Sequence, residues 1–120
     1  MANVMIIDDS DSIRMVLKDI LVIGKHNLVS ELSSGMEALE KYTKLTPDII
    51  LLDMAMPKKD GLSVLKEIMD FNPSAKVIMI SASDNQDTMK ECMNIGARAY
   101  ILKPFNFQEV LDTITNVIKS

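Results

Sequence analysis

Four runs of four apolar residues recur along the chain, and each stops at polar side chains. Val4 to Ile7 run into Asp8 and Asp9, Ile49 to Leu52 into Asp53, Val77 to Ile80 into Ser81, and Ala99 to Leu102 into Lys103 and Pro104. A short, continuous apolar run bounded by polar residues predicts a parallel strand covered on both faces. A fifth segment, about Asn27 to Leu32, carries Ser30 and Glu31 and is the most polar of the five, which places it at a sheet edge.

Between these runs the apolar spacing changes from continuous to helical. Ile13, Val16, Leu17, Ile20 and Leu21 follow the i, i+3, i+4, i+7, i+8 pattern, with Ser10 or Asp11 available as N-cap and Gly24 as terminator. Ala38, Leu39, Tyr42 and Leu45 predict a second helix ended by Pro47, and Gly61, Val64, Leu65 and Ile68 a third ended by Asn72 and Pro73. Met89, Cys92 and Met93 predict a fourth stopped at Gly96, and Phe107, Val110, Leu111, Ile114, Val117 and Ile118 a fifth. Each helix follows a strand. Strict alternation with short loops predicts an α/β fold, a doubly wound five-stranded parallel sheet with right-handed crossovers and helices on both faces. A flavodoxin-like (βα)5 order of 2-1-3-4-5 puts the second strand at the edge and the switch point beside Asp8, Asp9 and Asp53.

Composition narrows the function classes. A chain of 120 residues fits one domain, residues 1–120, with no internal repeat, linker or low-complexity stretch. No apolar run approaches the roughly 18 residues that suggest a membrane span. The N-terminal Met-Ala-Asn-Val-Met has no basic region, so a cytoplasmic location without a signal peptide is expected. A net charge of -4, with Lys and Arg scattered, disfavours direct nucleic-acid binding. Cys92 has no partner for an internal disulfide and reads as a buried thiol, and His26, with no neighbouring Cys or His, as a solvated residue at a strand start. The ten Met residues read as core filling.

In open α/β sheets the ligand crevice lies outside the carboxyl ends of the strands, where this chain would gather Asp8, Asp9, Asp53, Ser81 and Lys103. Taken singly, each has a plainer reading: the Asp residues as helix caps or turn formers, the lysine as a solvated side chain. Together, three carboxylates at one sheet end repel one another unless a cation neutralises them, and with Lys103 a divalent ion brings the formal charge to zero. All donors are hard oxygens, which points to Mg2+ or Mn2+. Asp9, Asp53 and a backbone carbonyl, with Asp8 acting through water, would make a phosphate-ready site. A carboxylate there can act as a nucleophile toward phosphorus, with Lys103 and the Ser81 hydroxyl meeting the phosphoryl oxygens.

On these residues the chain resembles the receiver domains of two-component response regulators, of the stand-alone kind that serves chemotaxis. The resemblance rests on Asp8-Asp9, on Asp53-Met54-Ala55-Met56-Pro57 followed by Asp60-Gly61, on Ser81-Ala82, and on Tyr100 three residues before Lys103-Pro104-Phe105. Gaps of 44 residues from Asp9 to Asp53, 28 to Ser81 and 22 to Lys103 agree with it. It implies that Asp53 is the phosphoacceptor, that Asp9, Asp53 and the Ala55 carbonyl bind Mg2+ with Asp8 assisting through water, and that Lys103 pairs with the phosphate. It further implies that Ser81 and Tyr100 form the switch and that Lys103-Pro104 is a cis peptide. Ala55 departs from the larger polar residue common at its position. The implied partners are a CheA-like sensor histidine kinase as phosphodonor, a motility switch component as target, and a phosphatase, with the chain itself a monomer. Such a protein is a signalling switch that accepts and hydrolyses its own phosphoryl group. A phosphorelay intermediate passing phosphate to a histidine phosphotransfer protein is the alternative within the family. Outside it stand a flavodoxin-like electron carrier, which needs a phosphate loop where Asp8-Asp9-Ser10-Asp11 stands, and a dehalogenase-type phosphatase, which needs an acid where Ala55 stands.

Overall fold

Because the four apolar runs alternate their side chains between two directions, each strand feeds two cores at once. The computed structural model describes residues 1–120: strands β1 (Asn3–Ile7), β2 (Asn27–Leu32), β3 (Ile49–Asp53), β4 (Val77–Ser81) and β5 (Ala99–Leu102), and helices α1 (Asp11–Ile23), α2 (Ala38–Leu45), α3 (Gly61–Phe71), α4 (Gln86–Ile95) and α5 (Phe107–Lys119). All strand pairs are parallel, as the alternation predicts, and the order is β2-β1-β3-β4-β5, that of the flavodoxin-like fold, with the polar β2 at one edge. Met5, Ile7, Ile50, Leu52, Val77 and Met79 pack with Tyr42 of α2, Val64, Leu65 and Ile68 of α3 and Cys92 of α4. Val4, Ile6, Ile49, Leu51, Ile78 and Ile80 pack on the other face with Leu17, Ile20 and Leu21 of α1 and Val110, Ile114 and Val117 of α5.

The helix ends obey local chemistry. Ser10, Asp60, Asn85 and Asn106 each accept a backbone N–H of the first turn, at Ile13, Ser63, Thr88 and Glu109. A short 3-10 turn, Gly35–Glu37, leads into α2, which closes on Thr46 in the left-handed region. Helix α4 closes on Gly96 at φ +133, a conformation that a side chain would strain.

Several sequence expectations need correction. Only Met5, Met56, Met69 and Met79 of the ten Met residues are buried; Met1 and Met36 are exposed outside the long helices, and Met15 and Met93 because α1 and α4 bury narrower stripes than their apolar content suggests. Val16 and Phe107 likewise face solvent, whereas Cys92 is fully buried as expected. His26 is half-buried rather than solvated, and its Nδ1 accepts the Ala2 amide at 3.1 Å, tying the start of β1 to the turn before β2. Burial, and then the charge of the nearby N-terminal amine, hold its pKa below the ordinary imidazole value.

One glycine positions the sheet end directly. A Cβ on Gly61 would meet the Asp53 carbonyl oxygen at 2.2 Å and the Met54 Cα at 2.8 Å. Both obstacles are backbone, so the start of α3 would have to back away from the end of β3. Gly61→Ala is therefore expected to destabilise the fold by about 2–3 kcal/mol. Urea denaturation reads the change, and an unaltered midpoint would show that the contact relaxes at no cost.

Candidate functional site

The switch point of the sheet lies between β1 and β3, and both strands end there in carboxylates. Asp53 closes β3 and is 3 % exposed; Asp8 follows β1 and is 1 % exposed. Asp9 lies beside them but faces solvent, and one carboxylate oxygen from each of the three falls within 4.8 Å of the others. From β5, Lys103 reaches across the sheet end. Its ammonium donates to Asp53 Oδ1 at 3.1 Å and to Asp8 Oδ2 at 3.4 Å. The Lys103–Pro104 peptide is cis.

Asp8 is accounted for by protein donors on both oxygens, and Asp53 on one. Asp8 Oδ1 accepts the Ser10 amide at 2.9 Å and Oδ2 accepts Lys103. No N–H or ammonium group donates to Asp9, and the Ala55 carbonyl in the β3–α3 loop accepts no backbone N–H. Oxygens without donors beside a buried acidic pair suit a small, hard divalent cation, whose preferred ligands are carboxylate, carbonyl and water oxygens. The donor set thus fits Mg2+ or Mn2+ and contains no thiolate or imidazole. With its Ser10 amide turned inward on Asp8, the loop is also unlike a flavin phosphate cradle.

Electrostatics are strained in the way that three gathered acids predict. Burial is the largest influence on Asp53, followed by the Asp8 charge; Lys103 opposes both and a hydrogen bond with Asp9 reinforces them, so the Asp53 pKa rises from 3.8 to about 6. Burial pulls the Lys103 pKa down, but its bonds and attraction to Asp53 and Asp8 outweigh this and leave it above the ordinary lysine value. At neutral pH the pair is an ionised carboxylate held against a firmly charged ammonium.

Ser81 and Tyr100 are placed differently from the acids. Ser81 closes β4, next to β3, and is buried, yet its hydroxyl accepts only the Ser83 amide, at 3.0 Å. Tyr100 sits within β5, half-buried at the edge of the core, and its hydroxyl donates to the Ser83 carbonyl at 3.0 Å. No hydrogen bond joins the two side chains; they hold opposite sides of one residue in the β4–α4 loop.

Sequence reasoning passed over one residue in contact with the site. The Arg14 guanidinium, on the first turns of α1, donates to the Asp8 main-chain carbonyl at 2.6 Å and to Glu31 at 3.0 Å, and pairs with Asp11. Nothing local to the sequence singles it out, since it sits between the apolar positions Ile13 and Leu17. The contact it makes requires α1 and β2 to be packed.

Comparisons with known proteins agree with this geometry. Residues 4–115 match the family model of the response regulator receiver domain. The chain is 40% identical over 117 residues to the chemotaxis protein CheY of Thermotoga maritima, covering 98% of each chain, and 37% identical over 116 residues to CheY of Bacillus subtilis, covering 97% of each. Among solved structures it is similar to a chain of the CheX-CheY-BeF3-Mg complex from Borrelia burgdorferi, with a TM-score of 0.93, 38% identity, and coverage of 96% of this chain and 87% of that one. Fold, acidic cluster and sequence therefore converge, and the chain belongs to the response regulator receiver domain family.

Proposed function

We propose that residues 1–120 form one cytoplasmic phosphoryl-accepting switch of chemotaxis signalling, in which Asp53 takes the phosphoryl group from the phosphohistidine of a CheA-like sensor kinase. The observation that carries this reading is the buried Asp53 carboxylate, paired with Lys103 at 3.1 Å inside a cluster of three carboxylates. With a pKa of about 6, Asp53 is mostly ionised at neutral pH and available as a nucleophile. An Asp53 oxygen forms the new O–P bond as the donor N–P bond breaks, and the electron pair stays on the imidazole nitrogen. Lys103, already at Asp53, meets the negative charge of the transferred group without reorganising.

Asp9, Asp53 and the Ala55 carbonyl would hold Mg2+, with Asp8 assisting through water. When bound, that ion neutralises the acidic cluster and the developing phosphoryl charge. Hydrolysis of the aspartyl phosphate returns the site to its starting state. Ala55 presents only a methyl group beside it, so control of hydrolysis by a larger polar side chain at this position is not available to this protein.

The signal leaves through Ser83. A phosphoryl oxygen on Asp53 draws the Ser81 hydroxyl toward it and away from the Ser83 amide. Tyr100 is bonded to the carbonyl of the same residue, so the loop and the ring move together and reshape the α4-β5-α5 surface. A partner that prefers this shape, such as a motility switch component, shifts the population toward it, and the coupling is reciprocal. That the relatives include CheY proteins, one of them solved in complex with CheX, supports a chemotaxis target and a further protein partner of that kind; a phosphatase is among the partners proposed.

The test is intact-mass measurement after incubation with acetyl phosphate. One added phosphoryl group is expected with Mg2+ or Mn2+, none in chelator, and none for Asp53→Asn under either condition. Labelling that survives Asp53→Asn would overturn the assignment.

A further inference from the structure

We propose that Arg14 is a positioning residue that aims Asp9 at the cation, by bracing the Asp8–Asp9 peptide against the edge strand β2. This rests on the reading of Asp9 as a Mg2+ ligand.

Asp9 receives no N–H or ammonium donor, so apart from its interaction with Asp53 it is the backbone that directs its carboxylate. That backbone is held from two sides. The Asp8 amide donates to the Leu32 carbonyl at 3.0 Å, and the Asp8 carbonyl, which shares a peptide plane with the Asp9 amide, accepts Arg14 Nη1 at 2.6 Å. A charge-assisted bond of that length fixes the rotation of the plane more firmly than a neutral one.

Arg14 is itself immobilised. Its side chain is 13% exposed, Nε donates to Glu31 Oε1 at 3.0 Å, and Lys18 holds the other Glu31 oxygen at 2.8 Å. Glu31 lies opposite Ile6 in the β1–β2 register, so the brace runs from the edge strand through the guanidinium to the residue before Asp9. Planar geometry matters here, because one guanidinium serves a carbonyl, Glu31 and Asp11 in fixed directions. A lysine could reach one of these acceptors at a time. Outer groups that orient a ligand typically change metal affinity by 10–100-fold when removed.

The experiment is calorimetric titration of the metal-free protein with Mg2+, for wild type, Arg14→Ala, Arg14→Lys and Lys18→Ala. Arg14→Ala should weaken Mg2+ binding about tenfold or more, while phosphoryl incorporation from acetyl phosphate at saturating Mg2+ stays within about twofold of wild type. Arg14→Lys should fall between the two, and Lys18→Ala, which loosens Glu31 but leaves Arg14 on it, should weaken binding less than Arg14→Ala. A merely structural arginine would lower the metal-free melting temperature and leave the Mg2+ affinity alone. That result, or Arg14→Lys binding as tightly as wild type, would overturn the brace. Failure of the wild type to bind Mg2+ would instead overturn the functional reading beneath it.

Discussion

Asp53→Asn is expected to make the metal-free protein more stable at pH 8, by about 3 kcal/mol, which corresponds to a rise in Tm of roughly 10 °C for a chain of this size. The reason is that the folded state holds the Asp53 proton more tightly than the unfolded chain, with a pKa raised from 3.8 to about 6 by burial and by Asp8. Above about pH 6 the fold must carry a carboxylate that its surroundings disfavour, and the full penalty applies. Between pH 6 and 3.8 the folded protein takes up a proton that the unfolded chain has not yet bound, so the penalty shrinks as pH falls. Below 3.8 both states are protonated and nothing remains of it. Asparagine keeps the shape and removes the charge at every pH. The two melting curves should therefore lie far apart at pH 8 and converge near pH 4. Mg2+ should add stability to wild type at neutral pH and much less near pH 4, where Asp53 is protonated. Equal melting temperatures for the two proteins at pH 8 would mean that the acidic cluster is not under strain.

Lys103→Met is expected to act in the opposite direction, and on two readouts. Lys103 is the cation in contact with both buried carboxylates, 3.1 Å from Asp53 and 3.4 Å from Asp8. Removing it leaves two like charges together in a site shielded from water, a change that costs about 3 kcal/mol in comparable buried pairs. The loss should be greatest at high pH and should recede as Asp53 protonates, at a pH above that of the wild-type titration because the lowering influence of Lys103 is gone. The double variant Lys103→Met with Asp53→Asn should recover much of the stability, since one charge of the repelling pair has been removed. Phosphoryl incorporation from acetyl phosphate should fall about 100-fold, the scale associated with losing one preorganised charge partner of a transition state. Denaturation across pH measures the first effect and intact-mass kinetics the second. A variant as stable as wild type at pH 8 would remove Lys103 from the electrostatic account of the site.

The apolar runs, their polar ends and the βα alternation were legible from the chain alone. A buried parallel strand has to be apolar on both faces, and the sheet order brings the carboxyl ends of β1, β3, β4 and β5 to one side of the molecule. That is why Asp8, Asp9, Asp53, Ser81 and Lys103 could be assembled into one site without coordinates. The cap of α1 was legible for a similar reason, since Ser10 acts within three residues of itself.

What depended on the packed molecule acts over longer distances. Helical periodicity identified apolar stripes but not their width, so Val16, Met93 and Phe107 were counted inward and lie outward. The sorting of α1 and α5 to one face and α2, α3 and α4 to the other follows from the crossovers, not from any one segment. Gly61 matters because α3 begins against the Asp53 carbonyl, and His26 because the first residues of the chain fold back over it. Ser81 and Tyr100, 19 positions apart, meet through the two sides of Ser83, and Arg14 reaches the Asp8 carbonyl only once α1 lies against β2. Residue type and spacing select which groups arrive at the sheet end, because strands impose a period and an end point. Bond directions, burial and the Asp53 pKa belong to the tertiary structure, since each is set by atoms far away in the chain.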